Sequence, residues 1–147
     1  MERRFTLSTT TEQNKAVIQR FFDAWNSRQP EAFDTLIAPN VVRHCQAMPG
    51  EIRSLDQVKE FLRQDTAVFP DSIQTITHLV AEGDLVAAWS TYEGTQKGPM
   101  GPFPPSGAKA KFDFGALFRI KGGKIAEWWV TWDNVKILRT LGHLPSA

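Results

Sequence analysis

Phe118-Arg119-Ile120-Lys121-Gly122-Gly123-Lys124-Ile125-Ala126-Glu127-Trp128-Trp129-Val130-Thr131-Trp132-Asp133-Asn134 is the stretch that decides the fold. Two apolar-rich runs meet at Gly122-Gly123, and glycine accepts the positive φ that a two-residue hairpin turn demands. With those two residues as the loop, Lys121 pairs with Lys124 and the register runs on unbroken. Asp133 then faces Phe112, Thr131 faces Phe114, Trp129 faces Ala116 and Glu127 faces Phe118. Paired residues share a face and successive residues alternate. One face therefore carries Asp133, Phe112, Phe114, Thr131, Trp129, Phe118 and Glu127. The other carries Trp132, Trp128, Val130, Leu117, Asp113 and Arg119. A β-bulge anywhere in the hairpin would reverse the assignment beyond it. Both faces are largely apolar, so both need cover: helices and an internal pocket on one side, a second subunit on the other.

Working outward, residues 108–120 and 124–133 form this last hairpin, and 72–81 and 85–94 form one before it, turning at Glu82-Gly83-Asp84. Between the hairpins, residues 96–107 hold four prolines and three glycines and read as a loop, a candidate lid at a cavity mouth. Residues 13–27 read as a helix, with Val17, Ile18, Phe21, Phe22 and Trp25 on one stripe. Pro30 suits the first turn of a short second helix over 30–36, and 41–45 reads as a strand. Residues 54–68 read as a third helix, with Ser54 as N-cap and Gln57 completing a capping box. A terminal helix or turn over 135–141 ends at Gly142. Helices on one side of an antiparallel meander give an α+β layer architecture.

The chain has 147 residues, enough for one domain with a substantial core. A polar tail is expected over residues 1–12 and a single domain over 13–147. Net charge is +1, and no basic run interleaves with aromatics, so nucleic acid and anionic membrane are poor partners. The single cysteine, Cys45, cannot form an internal disulfide, so a cytoplasmic, reducing setting is expected and a buried inert thiol is the plain reading. No run approaches the roughly 20 apolar residues of a membrane span. No metal-ligand spacing, phosphate loop or Ser/His/Asp order appears. No metal is expected.

Four stretches, taken in order, carry a resemblance: Phe21-Phe22-Asp23-Ala24-Trp25-Asn26; Val41-Val42-Arg43-His44; Phe69-Pro70-Asp71 through Ala81-Glu82-Gly83-Asp84-Leu85-Val86; and Phe118-Arg119 through Trp128, Asp133 and Leu138-Arg139-Thr140-Leu141-Gly142. Over roughly residues 13–144 the chain resembles the SnoaL-like polyketide cyclases of the nuclear transport factor 2-like superfamily. The resemblance implies a cone-shaped curved antiparallel sheet with three N-terminal helices over an apolar pocket. It also implies dimers or higher oligomers through the outer sheet face. It implies intramolecular aldol ring closure without metal or organic cofactor, with Asp133 matching the family's general acid/base. Two departures each remove a titratable group: Gln96 stands where relatives often carry histidine, and Phe22 where they often carry tyrosine.

Aldol closure needs a base beside a carbonyl and an acid for the new alkoxide, and one carboxyl in a dry pocket can serve as both. Asp133 is the catalytic candidate, against the plainer role of capping a helix that starts at Asn134. His44 titrates near neutrality and could assist Asp133 or bind the substrate carbonyl, against a hydrogen-bonded place at a strand end. Phe22, Trp25, Trp89, Phe112, Phe114 and Trp129 are the candidates to line a pocket for a flat, apolar, aromatic or polyketide-like ligand, against a simple core role. Glu127 is expected in a surface ion pair, and His78 and His143 in structural or exposed places. The leading reading is a cyclase or isomerase. Its alternatives are an epoxide-hydrolase-like reaction in the same pocket, which would want a second polar acid/base group, and a non-catalytic ligand-binding or dimerisation module.

Overall fold

The computed structural model describes residues 9–145. Helix α1 spans Thr10–Asn26 and α2 spans Leu55–Val68. The strands are β1 (Ile37–Cys45), β2 (Ile73–Glu82), β3 (Leu85–Thr95), β4 (Lys109–Lys121) and β5 (Lys124–Thr131), and α3 spans Asn134–Thr140. Pro30–Thr35, expected as helical, forms a 3-10 turn. Most of the expected polar tail lies outside the described residues. Its last part does not: α1 starts three residues earlier than the apolar stripe implies. Thr9 caps it, and Thr9 and Glu12 reciprocate in a capping box. At α2 the box is only half made. Ser54 Oγ accepts from Gln57 N at 3.1 Å, but the Gln57 side chain reaches back to Arg53 N instead.

The five strands form one sheet in the order β1-β5-β4-β3-β2. β2 to β5 make the expected antiparallel meander, while β1 joins β5 in parallel, so the sheet is mixed. α1 packs on β2 and β3, α2 on β1, and α3 on β4. Phe21 of α1 is the hub of the core, meeting Trp25, Phe33, Phe118 and Trp128 at centroid distances of 5.3 to 6.1 Å. Burying one such ring stabilises the fold by about 1.5–3 kcal/mol relative to leaving it in water.

The register of the last hairpin corrects the reading from the turn. Lys121 pairs with Lys124 and Ile120 with Ile125, as expected, but Arg119 then pairs with Glu127 and Phe118 with Trp128. Ala126 is the extra residue of a bulge. Every side chain of β5 beyond it changes face. Phe112, Phe114, Ala116 and Phe118 of β4 therefore share the buried face with Trp128 and Val130, while Trp129 and Glu127 turn outward with Leu117 and Arg119. The reason is visible in the pattern Ile125, Trp128, Val130: strict alternation would have buried Glu127 and exposed Trp128.

Candidate active site

Between the inner face of the sheet and the helices lies a cavity of about 670 Å³. Its walls are aromatic and aliphatic, with few polar groups, which is the make-up of small-molecule sites. Four of the six expected lining residues are on it: Phe22, Trp25, Phe112 and Phe114. Phe22 and Phe114 lie parallel, with centroids 6.3 Å apart. The other two are not. Trp89 alternates with the buried Ala88 and Ser90 on β3, so it faces outward and is 50% exposed, its ring over Gly115. Trp129 was carried outward by the Ala126 bulge and stacks on His44 at 5.4 Å.

Asp133 is exposed, and its carboxylate is spent on the start of α3. Oδ1 accepts from Val135 N at 3.0 Å and Lys136 N at 3.2 Å. Since β5 ends at Thr131, Asp133 has no place in the ladder opposite Phe112. It is not among the residues lining the cavity. His44 is also turned away from the cavity, because β1 buries Val41, Arg43 and Cys45 on its inner side. Its ring nitrogens are taken by Glu51 (Nδ1, 2.5 Å) and Glu127 (Nε2, 2.7 Å). The Glu127 bond first, and Glu51 with it, holds the imidazole above its ordinary value. Asp133 and His44 are thus not brought together. Glu127 is in the expected surface network, with Arg119 3.9 Å away.

The acid on the cavity wall is Asp65, near the end of α2. It falls on the same helical stripe as Val58, Phe61 and Leu62, which turns a carboxylate onto an apolar face. Its Oδ1 accepts from Tyr92 Oη at 2.7 Å, and its Oδ2 from Trp25 Nε1 at 3.4 Å and Ser72 Oγ at 3.3 Å. Burial raises its pKa, and the three donors offset only part of that. Burial, with the Asp65 charge beside it, also raises Tyr92, so the phenol stays protonated and donates. Asp65 could have been noticed as an acid within an apolar stripe, and Tyr92 as the chain's single tyrosine.

The second charge on the wall is Arg43. It is only 5% exposed, and its guanidinium carbon lies 4.5 Å from the ring centre of Phe61, 5.6 Å from Trp128 and 5.8 Å from Trp132. Burial lowers its pKa, opposed by the neighbouring Cys45 thiol.

The loop after β3 closes over one side of the cavity, with Pro99, Met100 and Phe103 on the wall. Gln96, fully buried, holds it from within. Its amide nitrogen donates to Gly98, Phe103 and Pro104 carbonyls at 3.1 to 3.3 Å, and its oxygen accepts from Ser106 N at 3.3 Å. His143 bonds the same oxygen at 2.7 Å, which gives this histidine its structural place. His78 is exposed on β2. Among the described residues no cluster of His, Cys, Asp and Glu has the make-up of a metal site, and no helix is long and apolar enough to cross a membrane.

The chain is similar to TsrD from Streptomyces laurentii, with a TM-score of 0.83 at 26% identity over 93% of this chain and 100% of that one. It is similar to wild-type IdmH, a candidate polyketide cyclase from Streptomyces antibioticus, with a TM-score of 0.80 at 30% identity over 88% of this chain and 99% of that one. A LEH-like epoxide hydrolase from M. tuberculosis shares the fold, with a TM-score of 0.75 at 16% identity over 92% of this chain and 89% of that one. A comparison with curated proteins finds no significant match. Residues 15–141 match the family of SnoaL-like polyketide cyclases, and the chain belongs to that family.

Proposed function

We propose that the chain is a cofactor-independent cyclase or isomerase acting on an apolar, cyclic or polyketide-like carbonyl compound, with Asp65 in place of Asp133 as the acid/base. The observation that carries this is a half-buried carboxyl of raised pKa on the wall of an aromatic cavity, oriented by Tyr92, Trp25 and Ser72. Oδ1 carries one donor and Oδ2 carries two, so Oδ1 has the free lone pair to take a proton. The carboxylate removes the proton beside the substrate carbonyl. The resulting enolate carbon attacks a second carbonyl, forming the C–C bond. The carboxylic acid then returns its proton to the new alkoxide. The protein works in the cytoplasm, and a second copy covers the outer sheet face around Trp89, where Ile73 and Val80 are also more than half exposed.

The first half of this reaction can be tested without the natural substrate. A bicyclic ketone such as 2-tetralone has an acidic proton beside its carbonyl, and its exchange in D2O is read by proton NMR. The expected result is exchange accelerated by the wild type and lowered about 100-fold or more in Asp65→Asn, the usual size of a lost general base. Acceleration that survives Asp65→Asn sinks the assignment. Binding with no acceleration in the wild type favours a non-catalytic module.

A further inference from the structure

Arg43 is the one buried charge on the cavity wall that has no use in the reaction above. Its Nε is buried without a hydrogen-bond partner. Among the described residues no carboxylate lies within ion-pair distance of it. The one acid lining the cavity, Asp65, is held by Tyr92, Trp25 and Ser72, and the cation that bears on it is Arg28. The other arginine on the wall, Arg63, is exposed and already paired with Glu60. A buried guanidinium without a counter-ion is a costly thing to keep, and faces of aromatic rings repay only part of that cost. Alternation along β1 puts this cost on the inner face at a position flanked by Val41 and Cys45, where an aliphatic residue would pack without penalty.

We infer that the ligand of this cavity is an amphiphilic acid, a flat apolar ring system bearing a carboxylate, and that Arg43 is the anchor for that carboxylate. The inference rests on the reading of the cavity as a substrate site and names the substrate class. The planar guanidinium fork matches a carboxylate in shape as well as charge. Phe61 joins the two polar poles: it lies under the Arg43 guanidinium and meets Trp25, which donates to Asp65, at 5.6 Å. A ring laid along this aromatic wall has its carboxylate at Arg43 and presents its remaining atoms to the Asp65–Tyr92 pair. Arg43 is thus a specificity-determining residue that orients the substrate and takes no proton.

The test is calorimetric titration with 2-naphthoate and 2-naphthamide, which have nearly the same shape and differ in charge. The wild type at pH 7.5 is expected to bind the acid at least about 10-fold more tightly than the amide, as a charge-assisted pair should. Arg43→Met should lose that preference and keep its affinity for the amide. Arg63→Met should keep the preference. Equal wild-type binding of acid and amide overturns the anchor and leaves the substrate cavity standing. Binding of neither removes both. Methionine fills similar volume without charge, so Arg43→Met is expected to melt at or above the wild-type temperature. If it fails to fold, Arg43 has a structural partner, and the anchor then stands or falls on the wild-type comparison of acid with amide.

Discussion

Tyr92 donates its phenolic proton to Oδ1 of Asp65 across 2.7 Å, joining the inner face of β3 to the end of α2 at the cavity wall. The bond fixes the carboxyl rotamer and adds to the burial that keeps the phenol protonated. It does not fully offset the burial of Asp65, whose pKa stays above the ordinary 3.8. A carboxyl whose proton is held more tightly in the folded chain than in the unfolded one contributes its stability in full below its ordinary value. It loses that contribution as pH rises through the raised folded value. Thermal unfolding of wild type and Asp65→Asn from pH 3.5 to 7.5 should therefore show the wild type's standing against the variant falling as pH rises. The opposite slope would mean that Asp65 is stabilised as a carboxylate and is a structural ion.

His44 has the same sign by a different cause. Its bonds to Glu127 and Glu51 favour the imidazolium, so its folded pKa lies above the ordinary 6.5. Its contribution is whole below 6.5 and disappears as pH rises through the folded value. Melting temperature measured from pH 6 to pH 9 should fall across that window in the wild type. The fall should flatten in His44→Gln and in Glu127→Gln. A wild-type profile no steeper than that of His44→Gln would show that the network contributes nothing to stability.

Gln96 makes more use of its amide than any other side chain near the cavity. Truncation in Gln96→Ala strands the Gly98 and Pro104 carbonyls and the Ser106 amide, and takes one of two donors from the Phe103 carbonyl. It also releases His143. The expected loss is about 2–3 kcal/mol, since buried groups left unpaired cost about 1–3 kcal/mol each and loop groups recover part of that from water. Hydrogen exchange should place the loss of protection at Met100 and Phe103, which bond each other across the loop turn. Global loss of protection with the loop still protected would contradict this role.

Periodicity made the order of elements legible, because apolar stripes at helical spacing and alternating runs at strand spacing mark elements locally. Pairing was less legible. Nothing near Val41 or Cys45 names β5 as the parallel partner of β1, since that contact is made across more than 80 residues. The Ala126 bulge was written in the spacing of Ile125, Trp128 and Val130, but no glycine or proline flags it. Strict alternation through that point puts Trp129 on the inner face, whereas the bulge turns it outward. At the site, Phe22, Trp25, Phe112 and Phe114 followed from stripe and strand parity alone. Asp65 and Arg43 are each a single charge in an apolar pattern, and their significance depends on which face is hollow.

The outer face gives a test of assembly. Trp89 lies half exposed over Gly115, flanked on the sheet by Thr91, Ala87 and Leu117. A tryptophan left in water forgoes about 1.5–3 kcal/mol that burial would supply. Light scattering should find a dimer or larger oligomer for the wild type and monomer for Trp89→Lys, with the melting temperature lowered in step with dissociation. A monomeric wild type would remove the second copy from the outer face.

Asp133 separates the two acids most cleanly. Asparagine caps a helix about as well as aspartate, whereas alanine costs about 0.5–2 kcal/mol at such a position. Asp133→Asn therefore removes the charge and leaves the start of α3 intact, while Asp133→Ala destabilises the helix that seals one end of the cavity with Ile137. If Asp65 is the base, Asp133→Asn keeps ketone exchange within about threefold of wild type, well short of the 100-fold or more expected on losing a general base. Asp133→Ala should lower the melting temperature without a specific loss of rate for the folded protein. If the charge at position 133 is the chemical group, Asp133→Asn loses activity while keeping its stability. That result, with Asp65→Asn active, would return the catalytic role to Asp133 and require α3 to release its cap when substrate binds.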